Sequence, residues 1–333
     1  MRTSITATLA FILSAYAVQA AEFSPIAYAG CKNEIFISGF QRFATLKHND
    51  GYVQKVRYKP TAGALGYQYV NGPLSLGASI SFEQGDNKLS ESESAYNRIS
   101  DSRLKTRERT VGFTLFGSYK TIGGWYGKGS LFLGFHNQKL KDGHIIEHTP
   151  LGYQTYGFDS GSSKSGTNFA GSLEVGKVFD FGGLRLTPHA GYDYSRTHKD
   201  RIRGNVYVNG VDYGRQELAS IASQNYHEFP LGVSLAKDFG FGDWLLTPSV
   251  DVTMITSVGN IKDENMNYRS GYASRTGSEW KVYGVGAGHW GGKITAGMKV
   301  IKSDRLTLDF NYAFEGRKKY YDHRLSASLG FAF

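Results

Sequence analysis

The chain has 333 residues, with 14% aromatic residues, 42 glycines, one cysteine and a formal net charge of +9. A lone cysteine excludes an internal disulfide framework, and basic residues scattered singly argue against a nucleic-acid surface. Rich in glycine and aromatics, the chain reads as a wall of short strands rather than as a soluble α/β enzyme.

The first segment reads as a secretory signal. Arg2 precedes an apolar, Ala/Ser-rich stretch from Ile5 to Val18 that is too short to span a bilayer as a helix. Val18-Gln19-Ala20 is a small-x-small site, predicting cleavage between Ala20 and Ala21. No later segment approaches ~18 continuous apolar residues, so no transmembrane helix is expected. The expected organisation is a signal peptide at 1–20, a short periplasmic or lumenal segment at 21–33 and a strand domain at 34–333. Cys31 follows Ala29-Gly30 much as in a lipoprotein cleavage box. Tyr28 replaces the usual aliphatic residue, however, and the cysteine is read as an incidental thiol.

From residue 34 onward the pattern has period 2. A barrel wall in lipid alternates apolar-out with small-or-polar-in. Leu74, Leu76, Ala78, Ile80 and Phe82 alternate with Ser75, Gly77, Ser79, Ser81 and Glu83. Val111, Phe113, Leu115 and Tyr119 alternate with Thr110, Gly112, Thr114 and Ser118. Trp244, Leu246, Pro248, Val250, Val252 and Met254 alternate with Leu245, Thr247, Ser249, Asp251 and Thr253. The last two strands repeat the rule, and the chain stops on Phe331-Ala332-Phe333. No helical period competes in these windows.

The reading is an all-β, transmembrane antiparallel up-and-down barrel of about twelve strands. They are placed near 34–46, 60–71, 73–86, 107–121, 124–140, 166–180, 183–198, 223–239, 242–258, 289–302, 304–316 and 322–333. Tight turns are expected at Asn71-Gly72, Ile122-Gly123, Phe181-Gly182, Gly240 and Ser303, alternating with long polar connections at 47–59, 87–106, 141–165, 199–222 and 259–288. Short periplasmic turns and long outer loops mark a bacterial outer-membrane barrel, and an even strand number puts both termini in the periplasm. The partners expected are outer-membrane lipid, lipopolysaccharide against a basic outer rim, and the barrel-assembly machinery, with no nucleic acid.

Parity then assigns the charges. Glu83, Lys128, Glu174, Arg185, Asp193, Glu228, Asp251, Arg305 and Asp309 fall on the lumenal face, with His136 and His189. Charges in a wall inside lipid face water or one another, so these predict a solvated, ion-paired lumen. Tyr119, Trp125, Tyr126, Trp244, Tyr320 and Tyr321 are read as interfacial belts near strand ends.

Two enzyme-like motifs fail on context. His144-Ile145-Ile146-Glu147-His148 matches a zinc-protease pattern that needs a helix, yet it lies in an expected outer loop ahead of Thr149-Pro150. The run Gly284-Val285-Gly286-Ala287-Gly288 with Gly292-Lys293 departs from a Walker motif at Ala287 and Ile294. No catalytic, cofactor or metal residues are assigned.

Several segments resemble the translocator (β-domain) of bacterial autotransporters. Gly117-Ser118-Tyr119 through Gly123-Gly124-Trp125-Tyr126 is similar to that family's central hairpin, and Leu186-Thr187-Pro188 to its Leu-Thr-Pro strand start, echoed at Leu246-Thr247-Pro248. Phe229-Pro230-Leu231-Gly232-Val233, the strand from Asp304 to Tyr312 and the terminal Phe331 and Phe333, which resemble an assembly signal, complete the pattern. The resemblance implies a twelve-stranded barrel that exports a passenger through its lumen. Only about a dozen residues separate the expected cleavage site from the first strand, so a barrel without an attached passenger is expected. The function expected is a non-enzymatic pore or surface protein; the alternatives are a rim enzyme acting on lipid or peptide, and an adhesin working through the outer loops.

Overall fold

A computed structural model describes residues 31–46, 56–89, 99–149, 152–158, 163–199, 202–221, 224–259, 265–268, 280–283, 288–303, 305–318 and 320–333. The expected signal peptide, with Ala20 and Ala21, lies outside the described residues.

Twelve strands form the wall. They are β1 (Cys31–Leu46), β2 (Val56–Asn71), β3 (Leu74–Leu89), β4 (Ile99–Lys120), β5 (Trp125–Thr149), β6 (Ser163–Lys177), β7 (Leu184–Lys199), β8 (Gln224–Lys237), β9 (Trp244–Gly259), β10 (Trp290–Lys302), β11 (Leu306–Arg317) and β12 (Tyr320–Ala332). Each pairs antiparallel with its neighbours, and β1 closes the ring on β12 from Glu34 opposite Ala332 to Leu46 opposite Tyr320. Closure matters because lipid offers no partner for an unpaired N–H or C=O, and a closed sheet has no edge.

Alternation sets the two faces. Ile35, Ile37, Leu65, Ile80, Phe82, Phe113, Leu131, Leu173, Leu231, Val252, Phe310 and Phe331 are exposed on the outside. Phe36, Ser79, Ser81, Glu83, Thr114, Phe132, His136 and Asn168 are buried on the inside. In water the outer surface would be an aggregation hazard; in hydrocarbon it is solvated.

The periplasmic turns are tight for local reasons. Phe179–Phe181 pairs with Leu184–Leu186 around Gly182-Gly183, both at positive φ (68° and 90°), the pattern of a type I′ hairpin. The matching turn between β8 and β9 falls at Gly242-Asp243 after a short strand Phe239–Phe241, two residues beyond the expected Gly240.

The outer connections differ more from expectation. Strands β4 and β5 run 22 and 25 residues, well past the lipid-facing band. Their outer ends continue laterally into strands at Gly152–Phe158, Ile202–Val208, Val211–Ile221, Asn265–Tyr268 and Trp280–Tyr283. Much of what reads as polar loop is therefore a sheet standing on one side of the barrel. An Asn209-Gly210 turn, both residues at positive φ, joins two of its strands and is a hairpin signal visible in the sequence. Short and long connections also do not strictly alternate to the end, since two residues separate β11 from β12 at the outer rim. The first strand starts at Cys31 rather than 34, and the eleventh at Leu306 rather than 304.

Candidate functional site

The inner wall carries the polar chemistry. Outward apolar side chains on each strand force the intervening positions inward, and there the chain places its carboxylates and cations. Along β5 to β9 these form a continuous network. Lys128 Nζ lies 3.1 Å from Glu174 Oε1, and the Tyr126 hydroxyl donates to the same oxygen at 2.7 Å. His189 Nε2 lies 2.7 Å from Asp251 Oδ2, and its other ring nitrogen is 3.9 Å from Glu174. Thr253 donates to Asp251 Oδ1 at 2.6 Å. This side of the wall remains open to water, with the Lys128, Glu174 and Asp251 side chains 37%, 22% and 22% exposed.

A second network closes the outer third of the seam. Arg42 donates Nε to Asp322 Oδ2 at 2.7 Å and Nη2 to the Tyr320 hydroxyl, with Arg324 3.8 Å from the same Asp322 oxygen. Arg317 donates to Glu315 on its own strand, to Ser257 on β9 and to Glu228 on β8, each at 2.6 Å. The Tyr58 hydroxyl donates to Glu83 at 2.6 Å. Near the periplasmic end Arg185 makes a two-point contact with Asp238, at 2.6 and 2.8 Å.

Two glycines make the longer reaches geometrically feasible. His189 reaches Asp251 by lying over Gly232 of the strand between; a Cβ there would sit 2.6 Å from both His189 Cε1 and Thr253 Oγ1. Arg317 crosses β10 at Gly291, where a Cβ would meet Arg317 Cγ at 2.6 Å. Long inward side chains thus lie flat along the wall and bond sideways. The bonds described here join strands no more than three apart around the ring of twelve.

The residues singled out by parity are placed as follows. Glu83, Lys128, Glu174, Arg185, Asp193, Glu228, Asp251 and Asp309 stand on the inner face. Asp193 sits opposite Glu228 in the β7–β8 register. Asp309 accepts from Asn311 at 2.6 Å and stands opposite Lys299. Arg305 departs from this set: it is exposed in the turn before β11, because that strand begins one residue later. Tyr126 and Tyr320 depart from the belt, since both have inward parity and hydrogen-bond there. Tyr119, Trp125 and Trp244 are exposed on the outside. Sequence reasoning missed Arg42, Tyr58, Glu315, Arg317 and Asp322. Arg42 shares parity with Glu34 in a strand of outward Ile35, Ile37 and Phe43, a usable signal; Tyr58 and Arg317 were hidden because they fell in expected loops.

The zinc-protease-like segment is strand, not helix. His144 and His148 are four residues apart in β5, about 13 Å along an extended chain, so the two-histidine grip of a zinc helix is absent. Among the described residues no group of three or more His, Cys, Asp or Glu is arranged to hold a metal. Residues 284–287 of the glycine run lie outside the described residues.

Comparison with known proteins gives a consistent family. A family model described as "Autotransporter beta-domain" matches residues 35–313. The structure is similar to the transport unit of the autotransporter AIDA-I from Escherichia coli (13% identity, TM-score 0.60, covering 95% of this chain and 93% of that one). It is similar to the translocator domain of the autotransporter NalP from Neisseria meningitidis (12%, 0.58, 92% and 90%). It is also similar to the β-domain of the Bordetella autotransporter BrkA (12%, 0.57, 90% and 98%). At these identities the likeness is one of fold. No curated protein matches the chain.

Proposed function

Because the chain belongs to the autotransporter β-domain family, we propose that it is a non-enzymatic translocator-type pore of the bacterial outer membrane. The observation that carries this reading is the lateral bonding of the inner wall. Lys128 and Glu174 bond along the wall, and His189 reaches Asp251 over Gly232, rather than across the bore, while the Lys128, Glu174 and Asp251 side chains stay partly open to water. Charged groups inside a membrane protein mark a polar pathway when they face water. Twelve strands lie between the side-chain-filled eight-stranded barrels and the open sixteen-stranded porins.

Single-channel conductance in a planar bilayer tests it, with the protein from Ala21 onward compared with a form starting at Cys31. The second form stops the truncation at the first residue of β1, which pairs with Asn71 and belongs to the wall. Stable openings in either form support the reading. A folded barrel that stays silent in both forms overturns it.

A second reading, a surface-binding role, draws on the outer sheet of residues 152–158, 202–208, 211–221, 265–268 and 280–283. Loss of cell or matrix binding on removing 202–221, with the barrel still inserted, supports that role; unchanged binding removes it.

A further inference from the structure

The outer face of the barrel has a feature that the pore does not use. Strand register places Lys59 of β2, Asp86 of β3, Arg107 of β4 and Lys139 of β5 in one row across the wall. All four have outward parity. The next row inward toward the membrane is Thr61, Gln84, Arg109 and Asn137. The row after that, Gly63, Phe82, Val111 and Phe135, opens the apolar band, with Phe82, Val111 and Phe135 at 50%, 52% and 59% exposure. Four cations, from three of the four adjacent strands β2–β5, therefore sit on the outside just above the apolar band.

Neighbouring groups hold several of them in place. Arg107 takes a two-point contact with Asp86, at 2.8 and 3.3 Å. Arg109 donates to Gln84 at 3.0 Å. Lys59 Nζ stacks 5.6 Å from the ring centre of Phe43 on β1. One acid stands against these four cations, so the patch keeps a positive field at the lipid headgroup level.

The distribution is one-sided. At the outer ends of β10, β11 and β12 the outward positions are Trp290, Phe314 and His323, an aromatic rim. At the opposite, periplasmic rim the lysines lie over belt aromatics: Lys177 over Trp125 and Phe179, Lys237 over Phe239, Lys302 over Trp244. Only on β2–β5 do the described residues line up cations as a row over bare apolar wall.

We propose that this row is a binding site for a phosphorylated, multiply acylated glycolipid of the outer leaflet. Its phosphates pair with Lys59, Arg107, Arg109 and Lys139, and its acyl chains lie on Phe82, Val111 and Phe135. Arginine forks and lysine ammonium groups are the usual phosphate partners. The span favours this ligand over a simple phospholipid. From Lys59 to Lys139 is three strand spacings, about 14 Å, wider than one phosphate and suited to two phosphates set apart on a sugar pair. The proposal rests on the outer-membrane location and is independent of whether the pore opens.

The test uses the chain from Ala21 refolded in detergent, with folding followed by heat-modifiable migration. Lipid A carrying its phosphates, lipid A stripped of them, and phosphatidylglycerol are added separately, and protein-bound lipid is counted by native mass spectrometry after gel filtration. The variants are Lys59→Gln/Arg107→Gln/Lys139→Gln and a matched periplasmic triple, Lys177→Gln/Lys237→Gln/Lys302→Gln. The expected result is retention of lipid A by the unaltered chain and by the periplasmic triple, and at least tenfold less by the outer triple. Equal retention by the outer triple overturns the site. Equal retention of phosphatidylglycerol by the unaltered chain overturns the glycolipid assignment. If the outer triple does not fold, the unaltered chain decides: the dephosphorylated lipid must bind at least tenfold more weakly, and equal binding overturns the proposal. A chain that never gains heat-modifiable migration would contradict the barrel itself, a different failure from loss of lipid on a folded barrel.

Discussion

Arg42 shows how an inward charge is tolerated in this wall. Its side chain is 5% exposed and that of its partner Asp322 4%, so each is the main compensation for the other's buried charge. Removing one member of a buried pair is commonly worse than removing both, because the survivor keeps its desolvation penalty. Arg42→Ala is expected to destabilise the folded barrel by about 3–5 kcal/mol, read from urea unfolding in lipid vesicles. The double variant Arg42→Met/Asp322→Leu is expected to recover most of that loss. Equal losses for single and double variants would mean that the pair is not coupled. Gly232 carries a different constraint. Gly232→Val puts a branched side chain where the His189 ring lies, so His189 must leave Asp251. The expected outcome is a folded barrel with altered conductance, since a displaced imidazole moves away from the wall and into the bore; unchanged single-channel current would sink that account.

At the scale of a strand, direction matters more than residue type. Leu131 of β5 is 54% exposed on the lipid side, and its neighbour Phe132 is 4% exposed on the inner side. Leu131→Arg is expected to cost about 2–4 kcal/mol if the site lies at the bilayer midplane and less toward the interfaces. Ser130→Arg, one residue away on the water-facing side, is expected to cost clearly less. Comparable losses in vesicle unfolding would mean that the faces are misassigned. The strands also show why boundaries are harder to read than parity. Outer ends of β4 and β5 lack the apolar-polar alternation of the wall in their sequence, as a loop would. Their strand character comes from pairing with each other and with Gly152–Phe158, a partner fifty residues from the start of β4 that local propensity does not reveal.

For the whole molecule, closure is the decisive event. It joins the first strand to the last across nearly the entire chain, and its final pairs involve the terminal residue: Asn33 and Phe333 exchange backbone hydrogen bonds at 3.3 and 2.9 Å. Phe333→Ser is expected to lower outer-membrane levels and heat-modifiable migration, because it removes the apolar residue that directly follows β12 and is 64% exposed. Wild-type assembly in that variant would count against a role for the terminal residue.

The sequence alone determined the faces, the number of wall strands and the short periplasmic turns. These are local properties: side-chain direction has period 2, and lipid enforces it on one side of every strand. Parity also assigns nine charges to the inner face, and of these Arg305 stands in the turn before β11, outside the strand. Only the tertiary structure decided which charge meets which. Arg317 bonds Glu228 across two intervening strands, and Lys59 lines up with Arg107 and Lys139, because register is fixed by pairing between strands whose separation in the chain is set by the loops. Nothing in a local window carries that information, so the inner networks and the outer cation row emerge only when the ring is closed.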